Sequence, residues 1–393
     1  MSKPLRISAE QARQMVLHAQ GLDGVRESTI DIIKRLSYIQ IDTISVTARA
    51  HHHVIFSRNP DYQPADLEQL VQKGEVFEYW SHAAAFLPMD DYRFSLFPKG
   101  QILKNDKFWW EKDKKVMRQV MSRIKKEGAL QSKDFVHKKN SNGWFEWKPA
   151  KIALQILFME GRLMICSRQN FQKVFDLTER VLPEGLDTRK PTEKGFYTYL
   201  TDRAISAQGL ATAQEIGYLR KASGPSIQRV LKEKLRKKEL VQVEVEGVDE
   251  VYFTRPEYLD REPNLLQNQL YILNPFDNMV IQRKRMTDLF QFDYQIECYV
   301  PGPKRKHGYY TLPILYNGQF AARLDAKAER KEGVLSVMHI WLEEGFQADA
   351  LFVEILCQKL NDFAKFCGCD KAVLQNASDP TFLRAMKAQL ARA

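Results

Sequence analysis

Along residues 116–128, "VMRQVMSRIKKEG", apolar side chains fall at 116, 117, 120, 121 and 124. That is the one-sided spacing of an amphipathic helix, and Gly128 ends it. "ALQSKDF" (129–135) reads as a short second helix. "WKPAKIALQILFMEG" (147–161) reads as a third, with Pro149 in its first turn and Gly161 past its end. "RLMICSR" and "KVFDLTERVLP" then form a two-stranded hairpin around "QNFQ".

The same order returns downstream. "FYTYLTDRAISAQG" and "ATAQEIGYLRKAS" are helical, and "PSIQRVLKEKLRKKE" is a longer helix opening at Pro225 with apolar positions 227, 230, 231 and 235. "LVQVEVEG" and "DEVYFTRP" alternate as strands joined through Gly247. Three helices followed by a hairpin is the layout of a winged helix. A blurred earlier copy holds a capped helix at 8–22, another starting from Ser28, and "ADLEQLVQKGEVFEYW". After residue 270 the texture changes to alternating strands: "DYQIECYV", "GYYTLPILYN", "QFAARLDAKAE" and "VLSVMHIWLEE". A long amphipathic helix (348–368) and a short capped one follow. The expected fold is therefore α+β: three tandem winged-helix units, then a small C-terminal β-barrel-like domain with a packed helix. The expected domains are residues 1–110, 111–190, 191–265 and 266–393.

One stretch does not fit a plain core strand. In "SYIQIDTISVTARAHHHV" (37–54), Ile39 and Ile41 alternate with Gln40 and Asp42. In an extended chain the Cα atoms of Gln40 and Asp42 would lie about 6.6 Å apart on one side. Two short polar side chains at that spacing suit a small shared object such as a water molecule. Asp accepts a proton or stabilises a cation, and Gln orients a water without competing for its proton. The pattern alone leaves open a helix cap or a solvated pair.

Composition narrows the class. No apolar run approaches the ~18–20 residues that span a bilayer. The amino terminus has no apolar core and no small-residue cleavage site, so a signal peptide is not expected. The five cysteines are odd in number and mostly far apart, and are expected as free thiols in a reducing cytoplasm. Lys and Arg number 59 against 49 Asp and Glu. The excess sits in clusters at 104–118, 122–128, 232–238, 281–285 and 301–310, as on a folded surface that follows a polyanion. No metal and no cofactor is expected: in a strand only His51 and His53 of the histidine run would share a face, with no acidic or cysteine partner at ligand spacing.

"YIQIDTISVTARAHHHVIFSR", "EYWSHAAAFLP" (78–88), "LNPFDNMVIQRKR" (273–285) and "ARLDAKAERKEGVL" (322–335) occur in that order. On these segments the chain strongly resembles the YcaQ-like and AlkZ-like family of bacterial winged-helix DNA glycosylases, which unhook interstrand crosslinks. The resemblance covers nearly the whole chain. It implies three tandem winged helices and a β-barrel forming a concave DNA-binding surface, and removal of bulky N-alkylated purines. The family's motif of Gln, a hydrophobic residue, then Gln or Asp falls here on Gln40-Ile41-Asp42. The implied activity is monofunctional hydrolysis of the N-glycosidic bond of cationic N7-alkylated purines, with crosslink unhooking. Asp42 would stabilise the cationic sugar and accept the proton of a water that Gln40 holds.

The expected DNA contacts are Arg49, His51, His53 and Arg58 beside the motif. To these are added Lys304, Arg305, Lys306 and His307 on an exposed hairpin tip, extended by Arg323, Lys327 and Arg330. Arg283, Lys284 and Arg285 would line the cleft behind them, while Tyr79, Trp80 and His82 pack beneath the site. The expected partner is double-stranded DNA carrying alkylated purines or interstrand crosslinks. The expected protein is a cytoplasmic, nucleoid-associated bacterial monomer away from membranes. A non-catalytic winged-helix transcriptional regulator is the main alternative, and a metal-dependent nuclease a second.

Overall fold

Ser8 and Ser28 each start a helix by accepting a backbone N–H three residues on, from Gln11 and Asp31. The helices run over Ala9–Ala19 and Thr29–Leu36, and Ser37 ends the second in a left-handed conformation (φ 69°). These features belong to a computed structural model, which describes residues 3–105, 110–135, 147–261 and 267–392, with only the backbone of 147 and 148. Part of the basic run at 104–118 and the expected boundary at 265/266 lie outside the described residues.

The chain packs as two compact units: Met1–Tyr62 with Thr201–Ala393, and Gln63–Leu200. Within the first unit Leu5–Ile7 runs parallel to Val241–Val245, Leu5 facing Val243. The N-terminal residues are thereby stitched to the third helix–hairpin copy. Val241–Val245 also pairs antiparallel with Val251–Thr254, which pairs with Leu210–Ala211. That copy's helices are Glu193–Gln208, the short Ala213–Ile216 and Gly224–Arg236. Thr212 and Glu215 close the short one with a reciprocal capping box. Ile7, Val16, Leu17, Val243, Tyr252 and Met286 share one buried core here.

The rest of the first unit is a five-stranded sheet. Its order is Leu270–Ile272, Thr311–Tyr316, Gln319–Glu329, Val334–Leu342, Lys371–Ala377. The first four strands are antiparallel, and Asn317-Gly318, both at positive φ, make the tight turn that sets Tyr316 opposite Gln319. The fifth runs parallel to the fourth, a pairing that needs a crossover. The Ala350–Phe366 helix, capped by Asp349, supplies it and packs Phe352, Leu356, Leu360 and Phe363 into a core with Leu324, Ala326 and Val337. The strands stand in a line, an open sheet covered by a helix, where a barrel-like closure was expected.

In the Gln63–Leu200 unit, Asp113 caps the Lys114–Glu127 helix. The Trp147–Met159 helix ends at Gly161 (φ 77°), where the N–H groups of Gly161 and Arg162 bond back to Phe158 and Leu157. Leu163–Gln169 and Gln172–Leu177 form the hairpin, joined by Leu130–Gln131. Met117, Val120, Ile124, Leu154, Leu157 and Phe175 fill the core. A second hairpin pairs Val76–Trp80 with Ala84–Pro88. Among the described residues no helix is long and apolar enough to cross a membrane.

Candidate active site

The strand carrying the Gln-Ile-Asp motif is two residues long, Ile39–Gln40, so the extended run expected through Asp42 stops short. Ile39 and Ile41 are buried and anchor it, and Gln40 is 7% exposed. Asp42 is half-buried, and its Oδ1 accepts the N–H of Ile44 at 2.7 Å, turning the chain. Asp42 bears electrostatically on Cys298, Tyr299 and Tyr310 and helps raise all three above their ordinary values. Of these, Tyr299 is 81% exposed and Tyr310 fully buried, and Asp42 itself keeps part of its surface open to solvent.

The segment is positioned from "LNPFDNMV". Asn278 donates to the carbonyls of Tyr38 (3.0 Å) and Leu36 (3.4 Å), at the approach to Gln40. Asn274 donates to Ala50 O, and Asp277 takes Arg58 in a two-pronged pair, both distances 2.9 Å. Sequence reasoning passed over Asn274, Asp277 and Asn278. Their signal was the crowding of short polar residues within an otherwise apolar run.

Residues 50–58 form a helix rather than a strand, which revises the histidine run. His53 is fully buried and its Nε2–H donates to Ile272 O at 2.9 Å, while burial pulls its pKa down to about 4. His51 is 3% exposed. His52 meets Tyr62 Oη at 2.7 Å and is likewise pulled down to about 4, by burial and then by Arg49. Arg58 is 4% exposed, and besides Asp277 it bonds the carbonyls of Gln20 and Val54. His51, His53 and Arg58 are thus buried structural residues, and their expected DNA contacts are corrected. Among the described residues no group of three or more His, Cys, Asp or Glu could hold a metal ion.

The expected hairpin tip is also revised. "DYQIECYV" is not a strand; Glu297 accepts the N–H groups of Lys306 (2.9 Å) and His307 (2.7 Å), folding 297–307 into a tied loop with one 3₁₀ turn at Gly302–Lys304. Lys304 and Lys306 are exposed. Arg305 is half-buried on the carbonyls of Glu297 and Val300, and His307 packs edge-on to Trp341. Arg323 is 8% exposed, doubly bonded to Glu343 and stacked over Phe292, so its expected DNA contact is corrected too. Lys327 is exposed, and Arg330, also exposed, donates to Thr47 O. Half-buried Arg49 lies beside the run.

Arg285 is buried on the carbonyls of Leu210 and Gln208 and on Glu215, while half-buried Arg283 donates to the carbonyls of Pro275 and Val280. Tyr79 is buried, donating to Met159 O.

A groove of about 680 Å³ opens three residues beyond Asp42, bordered by Ser45, Val46, Arg305, Tyr309, Asp325 and Lys327. Asp325, 8% exposed, lies in its wall, and among the described residues its Oδ1 has no hydrogen-bond partner. The backbone N–H groups of Tyr309 and Tyr310 hold the carboxyl, while burial, the larger influence, pushes its pKa up to about 6. Gly308 (φ 101°) permits this approach: a Cβ there would stand 2.0 Å from Asp325 Oδ2.

The sequence profile described as "DNA glycosylase AlkZ-like" matches residues 33–366, most of the chain. Among solved structures, Streptomyces sahachiroi DNA glycosylase AlkZ is similar in fold. Its TM-score is 0.67 at 15% sequence identity, over 95% of this chain and 100% of that one. With the profile spanning both the Gln40–Asp42 segment and the groove, the chain belongs to the AlkZ-like family of DNA glycosylases.

Proposed function

We propose that this DNA glycosylase hydrolyses the N-glycosidic bond of cationic N7-alkylated purines, including those that tie the two strands together. The observation that carries this reading is the half-buried Asp42 carboxylate beside solvent, two residues from Gln40. Alkylation at N7 makes the base a good leaving group. Its departure builds positive charge on the sugar, so an enzyme gains most by stabilising that charge and aiming a water. With Oδ1 engaged by Ile44, Oδ2 of Asp42 would face the cation and take the proton of water, while the Gln40 amide holds that water toward C1′. The motif contains no lysine to form a Schiff base, so the product would be an abasic site on an uncut strand.

In the same reading the chain is three tandem winged helices with a C-terminal sheet domain, divided near residues 110, 190 and 265. The exposed Lys304, Lys306, Lys327 and Arg330, with Arg305, Arg49 and His307 at the margin, would follow the phosphate backbone. A monomer would act on duplex DNA at the bacterial nucleoid.

The test is incubation with duplex carrying N7-methylguanine and, separately, a nitrogen-mustard crosslink, followed by alkali. Alkali-dependent breaks at the lesion and separation of the crosslinked strands are expected. Duplex retained without base release would instead mark a regulator.

A further inference from the structure

A carboxylate is an unexpected group in a groove destined for DNA, because it repels phosphate. Asp325 stands on the outward face of its strand between Arg323 and Lys327, yet it is nine-tenths buried, and among the described residues one oxygen has no partner. A buried acceptor left unpaired costs free energy that a bound donor recovers. The space in front of it lies within the range of small-ligand sites. The exposed edge of Tyr309 offers a ring on the lip, and Arg305, stacked on that ring at 5.0 Å, and Lys327 put positive charge at the rim.

We propose that this groove seats the alkylated base itself, with Asp325 as counter-ion and hydrogen-bond acceptor to the cationic purine. The assignment rests on the glycosylase reading above for its substrate class and names the residue that selects it. N7-alkylation spreads positive charge over the purine and sharpens its N1–H and N2–H as donors toward the carboxyl whose Oδ1 stands unpartnered. An unmodified purine lacks the charge and gains less. Rim cations would carry the phosphates, and the acid in the wall would choose the lesion.

The groups facing Asp325 are Arg305 and Glu297 from the tied loop, the Tyr309 and Tyr310 amides, Thr311 and His339 opposite it on the flanking strands, and Arg323 and Lys327 on its own. Arg323 is committed to Glu343 and His339 stacks on Trp341. Acidification through about pH 6 would therefore neutralise the acid and erase the preference.

The test uses the full chain and a duplex bearing N7-methyl-2′-fluoroguanine, whose fluorine holds the glycosidic bond, against the unmodified duplex. Wild type is expected to prefer the cationic duplex by about tenfold or more at pH 7.5, and less at pH 5. Asp325→Asn is expected to fall to about twofold or less at both pH values. Ser45→Trp, filling the groove from another wall, is expected to lose the preference too. Preference retained in Asp325→Asn, or absent from wild type, overturns the inference. Base release from ordinary N7-methylguanine duplex is scored separately. Release with a preference independent of Asp325 sinks the groove assignment alone; no release with an Asp325-dependent preference sinks the hydrolase reading alone.

Discussion

Arg58 and Asp277 face each other through two parallel 2.9 Å hydrogen bonds, their side chains 1% and 0% exposed. The pair ties the helix after the motif to the loop whose Asn278 holds the chain before it. Removing one member leaves the other charge buried alone, which costs about 3–5 kcal/mol. Asp277→Ala is therefore expected to lower the urea-unfolding free energy by that amount, and base release only in proportion to the unfolded fraction. A variant as stable as wild type would show the pair to be dispensable.

Asp42 and Gln40 are expected to separate in magnitude. Asp42→Ala should slow single-turnover base release by about 10²–10⁴-fold, the range for a lost general base. Gln40→Ala should cost about 10²–10³-fold, as for one positioned hydrogen-bonding group. Gel-shift affinity for the same duplex is expected to hold in both. Wild-type rates would remove the residues from the chemistry.

Lys304 and Lys306 are exposed at the tied loop, whereas Arg58 and Arg323 are not available to a ligand. Each phosphate contact contributes about 0.9 to the slope of log affinity against log salt. Lys304→Ala with Lys306→Ala should flatten that slope by about 1–2 and weaken all sequences alike. An unchanged slope would place the DNA elsewhere.

Lys99 gives a pH signature in the Gln63–Leu200 unit. Its ammonium, 3% exposed, lies 4.2 Å from the Tyr92 ring and 4.5 Å from that of Tyr79, which favour the charge. Burial prevails and pulls its pKa from 10.5 down to about 7. Between those values the unfolded chain holds the proton that the folded one releases, so stability rises with pH across this window and is lost as pH falls toward 7. The slope should approach about 1.4 kcal/mol per pH unit. Urea midpoints at pH 7, 8 and 9 are expected to climb for wild type and to stay level for Lys99→Met, apart from a trend shared by both proteins.

Periodicity made the second and third helix–hairpin copies legible, since each has a stripe at helical spacing and a glycine or turn residue at the boundary. It misplaced His51–His53 because a helix buried on several sides shows no clean stripe: Ala50, His51, His53, Val54 and Ile55 are all buried. It could not reveal that Leu5–Ile7 pairs with Val241–Val245, or that Arg58 meets Asp277, because three-residue strands and contacts 219 positions apart leave no local trace. Asp325 looked like the polar side of an alternating strand. Only the close approach of Gly308 and the covering loop turn it into a buried acid.

The pairing of Leu5–Ile7 with Val241–Val245 also sets a timetable for synthesis. The opening 62 residues leave the ribosome with their partners still untranslated, while Gln63–Leu200 already carries its own core when complete. The inserted unit is free to fold first, and the segment bearing Gln40 and Asp42 must wait for the carboxyl-terminal half. The Leu5–Ile7 edge therefore finds its place only after the strand at Val241–Val245 has been made.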